Sequence, residues 1–104
     1  MIWGINIDDG VIEYDDISFF GDDFDPVLHA DYLKEDMLQI SFPNGTLIDV
    51  SWRPSFAKNG RFHITAVRDS DWSNPLAKFV KRDVEGVKMA LKEIIQANGT
   101  KKVK

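Results

Sequence analysis

Between residues 38 and 52 the apolar positions form two triads, Leu38, Ile40 and Phe42, then Ile48, Val50 and Trp52, with one intervening residue at each step. Alternation with a period of two is the pattern of a half-buried strand. Pro43-Asn44-Gly45 lies between the triads. A two-residue Asn-Gly turn would put them on opposite faces of a sheet. A three-residue loop pairs 42 with 46, 40 with 48 and 38 with 50, and puts both on one face. Pro and Asn suit a type I turn and Gly suits the left-handed position after it, so the pattern predicts the bulged three-residue loop. RFHITAVR (61–68) follows a turn at Lys58-Asn59-Gly60 and continues the alternation, with Phe62, Ile64 and Ala66 facing inward.

Earlier in the chain the pattern is less regular. IWGINI (2–7) alternates, Asp9-Gly10 is a hairpin turn signal and VIEY (11–14) reads as the return strand. ISFF (17–20) has strong β propensity and reads as a further extended piece. Asp25-Pro26 predicts a helix start, because Asp accepts orphan backbone N–H groups and Pro fits the first helical position. That helix would run to about Asp36 with Ala30, Leu33 and Met37 on one side, but Leu28 and Tyr32 fall away from it. After Pro75, LAKFV (76–80) is a short element whose type the pattern does not assign. Asp83 then caps a well-specified helix with Val84, Val87, Leu91, Ile94 and Ile95 inside about 100° of arc, stopped at Asn98-Gly99. The expected fold class is α+β: an antiparallel sheet of about four to six strands, with the amphipathic C-terminal helix and a shorter N-terminal helix on one face. Residues 1–99 form the single domain expected of 104 residues, and 100–104 a short basic tail.

Composition narrows the function classes. The chain has no cysteine, so thiolate metal sites, disulfides and thiol nucleophiles are absent, which fits a reducing compartment. The N-terminus lacks a basic region and a long apolar run, and no stretch approaches the ~18 apolar residues of a membrane span. A cytoplasmic protein without a membrane partner is expected. The net charge of −4 hides an asymmetry: residues 1–36 hold eleven acids against Lys34 alone, a net of −10, while residues 37–104 hold six acids against twelve Lys and Arg. Internal attraction between the two parts accounts for some of this. A free acid-lined surface would speed the approach of a basic partner and repel nucleic acid. No basic stripe interleaved with aromatics is present apart from Lys101, Lys102 and Lys104, so no nucleic-acid partner is expected.

The densest chemistry is EYDDISFFGDDFD (13–25), with six carboxylates and four aromatic rings. Its spacing does not match a calcium loop, so no metal and no cofactor are assigned. The carboxylates alone describe a solvated loop. The rings change that, because Tyr14, Phe19, Phe20 and Phe24 cannot all be idle in water. In a strand Phe19 and Phe20 would point to opposite sides, leaving one of them outside the main core. An apolar anchor ringed by charge is the composition of a protein-binding hot spot. The candidate partner-binding residues are Asp15, Asp16, Phe19, Phe20, Asp22, Asp23, Phe24 and Asp25.

A second candidate is the polar sheet face around Asp49, Ser51, Arg53 and His63, a Ser/His/Asp grouping that could serve a small enzyme or a ligand-binding domain. Polar sheet faces commonly carry such residues, and no metalloprotease, nucleophile-elbow or phosphate-loop motif accompanies them. No catalytic residue is assigned. Trp3 and Trp52 read as core, whereas Trp72, in DSDWSNP, sits in a loop. The Asn-Gly-Thr sequons at Asn44 and Asn98 are accounted for as a turn and a helix stop.

The central stretch FPNGTLIDVSWRPSF, with GRFHITAV and DWSNP after it, resembles small uncharacterised bacterial proteins, some of which belong to the toxin-immunity type. The resemblance covers about residues 38–76, and its motif elements (Asn44-Gly45, Ile48-Asp49-Val50, Trp52, Pro54, Trp72 and Pro75) are mostly turn and core residues. It implies a shared fold, and a non-enzymatic protein that binds a basic toxin domain such as a nuclease and covers its active site. A homodimer hiding the aromatic rings against its own copy is the other partner considered.

Overall fold

The hairpin at Pro43-Asn44-Gly45 closes as the alternation requires. In the computed structural model, which describes residues 1–98, the N–H of Phe42 donates to the carbonyl of Thr46 at 2.8 Å and that of Gly45 to Phe42 at 3.0 Å. Gly45 takes the left-handed conformation at φ +90°, and the Asn44 side chain accepts from the N–H of Thr46 at 2.9 Å. Leu38 then faces Val50 and Ile40 faces Ile48, so both triads share one face.

Among the described residues five antiparallel strands run in simple meander order: β1 (Val11–Asp15), β2 (Leu38–Ser41), β3 (Thr46–Arg53), β4 (Arg61–Arg68) and β5 (Ala77–Lys81). One α-helix among the described residues, α1 (Val84–Asn98), lies over β4 and β5. The Asp83 carboxylate accepts from the N–H of Gly86 at 2.8 Å and starts it, as the capping pattern predicts. Val87, Leu91, Ile94 and Ile95 pack with the sheet's inward residues and with Phe62, Ile64 and Ala66 in one core. Ile2, Ile5, Ile7, Ile17, Leu33 and Met37 from the first part of the chain complete that core. The helix stop at Gly99 and the basic tail fall outside the described residues. Among the described residues no helix is long and apolar enough to cross a membrane.

Three expectations for the first 36 residues are corrected. The segment 2–7 is not a strand: Trp3 (φ 52°) and Gly4 (φ 78°) form a tight reversal, and Ile2 and Ile5 exchange backbone hydrogen bonds at 3.1 and 2.7 Å across it. Two successive residues at positive φ make a primed turn, and Gly4 removes half of its steric cost. β1 is consequently an edge strand paired with β2 rather than the return of a hairpin.

ISFF (17–20) is a turn. The Asp15 carboxylate accepts from the N–H groups of Ile17 (3.0 Å) and Ser18 (2.8 Å) and from the Ser18 hydroxyl, and Phe20 N–H donates back to Ile17. An Asp that hydrogen-bonds the backbone two and three residues on offers a local alternative to the ladder, and here it overrides β propensity.

The N-terminal helix is absent and a single 3-10 turn, Ala30–Tyr32, stands in its place. Its start signal works, since the Asp25 carboxylate accepts from Val27 and Leu28. Ala30, Leu33 and Met37 are buried as expected, but that stripe is narrow and Val27, Leu28 and Tyr32 all stay exposed. By Leu33 the chain is extended, and the carbonyls of Leu33 and Lys34 accept from the N–H groups of Phe56 (2.7 Å) and Trp52 (2.8 Å). Pairing beside β3 thus takes the backbone groups a second helical turn would need. LAKFV supplies the fifth strand, so the total of five arises from a different set of segments than the pattern indicated.

Candidate functional site

The turns that replace ISFF and the N-terminal helix fold residues 16–34 around a groove of about 560 Å³. Its walls are rings in sequence. Phe19 meets Phe20 edge-on at 4.7 Å between centroids, Phe20 stacks on Phe24 at 3.8 Å, Phe24 faces His29 at 5.4 Å, and Tyr32 follows at 6.2 Å. Asp16, Asp31 and Lys34 form the rim. Phe20 and Phe24 are anchored by packing against the core, and the Trp3 indole N–H donates to the carbonyl of Phe20 at 2.9 Å. Phe19 remains 72% exposed. Of the adjacent pair, Phe19 is therefore the outer ring, set there by the turn rather than by strand alternation.

The eight expected partner-binding residues divide by surroundings. Phe19, Phe20, Phe24 and Asp16 line the groove. Asp15 and Asp25 hold turns with their carboxylates. At Asp15 burial works to raise the pKa, but the hydrogen bonds from Ser18 and Ile17 outweigh it and hold the carboxyl below its usual range. Asp16 pairs with Lys34 at 3.0 Å, and Asp22 with Lys88 of α1 at 2.7 Å. The second of these is the internal attraction between the acidic and basic parts of the chain. Both carboxylates are more than half exposed, so each pair contributes about 0–1 kcal/mol and exchanges readily for another cation. Asp23 and Asp31 are exposed, and among the described residues neither has an ion-pair partner.

His29, Asp31, Tyr32 and Lys34 belong to the groove and were not among the expected site residues. The signal for Tyr32 was present: it broke the apolar stripe of a helix that did not form. His29 and Asp31 carried none, because only the 3-10 turn brings them beside Phe24.

The polar sheet face presents a row across all five strands: Tyr14, Gln39, Asp49, Thr65 and Lys78 stand opposite one another in register. Burial, with Asp49, Asp36 and Asp16 nearby, pushes the Tyr14 phenol up to about 12. Burial also raises the Asp49 carboxyl, with Asp36 and Glu35 adding to it, against a hydrogen bond with Gln39 and the Arg53 charge. The Ser/His/Asp grouping does not assemble as a relay. Ser51 is buried and its Oγ accepts from Arg53 Nε at 3.0 Å, while the side-chain hydrogen bond of Asp49 is with Gln39. His63 stands opposite Ser51, and burial with the Arg53 and Lys78 charges holds its pKa below histidine's usual value.

Among the described residues no three His, Asp or Glu side chains come together to hold a metal ion. Neither a protein-family model nor a curated protein nor a solved structure matches the chain.

Proposed function

We propose that this protein is a non-enzymatic binding module that docks a basic protein domain on the aromatic groove of residues 16–34. One observation carries the proposal. Phe19, Val27, Leu28 and Tyr32, four large apolar side chains in one short segment, are each more than half exposed, and the groove beside them is rimmed by carboxylates. Isolated exposed apolar residues need no explanation, but a concentration of them around a preformed concavity is what a partner covers.

The charge decides which partner. A net of −10 over residues 1–36 steers a cationic surface toward the groove, and Asp23 and Asp31 meet it without first breaking an internal pair. Lys or Arg side chains entering the groove would lie against ring faces, adding cation–π attraction of about 0.5–2 kcal/mol each. In its most specific form, which rests on the resemblance of residues 38–76, the reading is immunity-type inhibition: the module covers the active site of a cytoplasmic basic toxin such as a nuclease.

The test uses this protein as bait against lysate of its source organism and the product of the adjacent reading frame. The expected result is capture of a basic protein in salt-sensitive fashion, weakened roughly tenfold or more by Phe19→Ser and by Asp31→Lys while both variants remain folded. If the captured partner is a nuclease, added wild-type protein abolishes its activity. Binding that neither substitution changes would overturn the groove as the docking surface.

A further inference from the structure

On the polar face of the sheet a second and chemically different cavity of about 140 Å³ is lined by Arg53, His63, Thr65, Trp72, Pro75 and Lys78. The strand register explains why these side chains converge. Thr65 and Lys78 stand directly opposite each other across β4 and β5. His63 lies two residues before Thr65 on the same face, diagonal to Lys78 on one side. Since Arg53 faces Arg61 across β3 and β4, His63 is diagonal to Arg53 on the other side. Opposed side chains on one sheet face start about 5 Å apart and diagonal ones about 7–8 Å, so the long Arg and Lys chains reach one point above His63 and Thr65. The loop between β4 and β5 closes the side with Trp72 and Pro75.

What converges there is donor chemistry. A guanidinium, an ammonium, an imidazole and a hydroxyl face one space, and no carboxylate lines it. Among the described residues neither Arg53 nor Lys78 forms an ion pair. Asp49, whose carboxyl feels the Arg53 charge, hydrogen-bonds Gln39, and Asp71, in the closing loop, accepts from the Asn74 amide. Arg53 is held in place through its Nε bond to buried Ser51. The acids of this face, Asp36 and Glu35, act on Asp49, and none of the three lines the cavity.

We propose that this cavity binds a phosphate group, with Arg53 and Lys78 neutralising the dianion, Thr65 and His63 donating to its remaining oxygens, and Trp72 and Pro75 shielding one side from water. A tetrahedral dianion matches donors arriving from three strands better than a planar carboxylate, which two of them would satisfy. His63 is held below histidine's usual pKa first by burial and then by the Arg53 and Lys78 charges, which agrees with a cationic lining. The site is separate from the aromatic groove and does not depend on the binding function proposed for it.

The experiment is an NMR titration of the full chain at constant pH and ionic strength with inorganic phosphate, with phenyl phosphate, and with chloride as control. Phosphate should shift the His63 ring and Trp72 indole signals saturably and leave His29, in the aromatic groove, unmoved. Lys78→Gln, on an exposed edge-strand position, should weaken binding roughly tenfold and Arg53→Gln at least as much. Tighter binding of phenyl phosphate identifies a phosphate ester as the ligand, and equal binding identifies the free ion; both sustain a phosphate site. Shifts no larger than with chloride, movement of His29 together with His63, or unchanged affinity in Lys78→Gln would overturn it.

Discussion

Gly60→Ala tests the packing on which the hairpin stack rests. Gly60 lies in the turn between β3 and β4, but its φ is not in the left-handed region, so backbone strain does not require glycine there. Space does. A Cβ at this position would sit 2.5 Å from Trp52 Nε1, 2.6 Å from Trp52 Cε2 and 3.1 Å from the carbonyl of Ala57. The indole has little room to move: Trp52 is 1% exposed, packs edge-on against Phe62 at 4.8 Å and donates from Nε1 to Ala57 at 2.9 Å. Forcing atoms into a filled site costs about 1–3 kcal/mol. Restricting the unfolded chain returns about 0.4–1 kcal/mol. The net expectation is destabilisation by about 1–2 kcal/mol, rising by about 1 kcal/mol if the indole swings far enough to lose its hydrogen bond. At roughly 4–8 °C per kcal/mol for a domain of this size, thermal unfolding should fall by roughly 5–15 °C. Urea unfolding followed by tryptophan fluorescence measures the change. A double-mutant cycle isolates its cause: Trp52→Phe removes the atoms that collide, so Gly60→Ala should cost about 1 kcal/mol less in that background. A Gly60→Ala protein within about 0.5 kcal/mol of wild type, or equal costs in both backgrounds, would refute the packing account.

Two carboxylates should give opposite pH signatures in thermal unfolding. Asp49 is raised above its unfolded value, so its contribution is favourable at low pH and is lost as pH rises through the folded value; Asp49→Asn should stabilise at pH 7, with the gain vanishing in acid. Asp15 is lowered, so its contribution is present at neutral pH and lost as pH falls; Asp15→Asn should destabilise at pH 7 and be nearly neutral where the carboxyl is already protonated. Two phenylalanines should separate surface from core in chemical denaturation. Phe62, fully buried, should cost about 3–5 kcal/mol on change to Ala. Phe19, mostly in water, should cost less than about 1 kcal/mol on change to Ser, which makes it a clean probe of binding.

The elements legible in the sequence are those whose signals are local and agree with one another. For the β2–β3 hairpin, period-two alternation and a three-residue loop ending in Gly45 both demand the same register, and no distant contact competes. The last helix is legible for the same reason, since the Asp83 cap and the 3.6-residue stripe agree. The aromatic and acidic content of the groove was also visible, as composition. Tertiary structure decided everything that depended on what lies opposite. Backbone groups of Leu33 and Lys34 went to Phe56 and Trp52 instead of a helix, and β5 became a strand because β4 offered it an edge, whereas ISFF was turned locally by the Asp15 carboxylate. The polar face acquired Lys78 and Trp72 from residues whose neighbours are distant in sequence, whereas the groove acquired His29, Asp31 and Tyr32 through turns within residues 16–34. Gly60 marks the boundary: the chain announces a turn there, but only the folded core shows that the missing side chain is space occupied by Trp52.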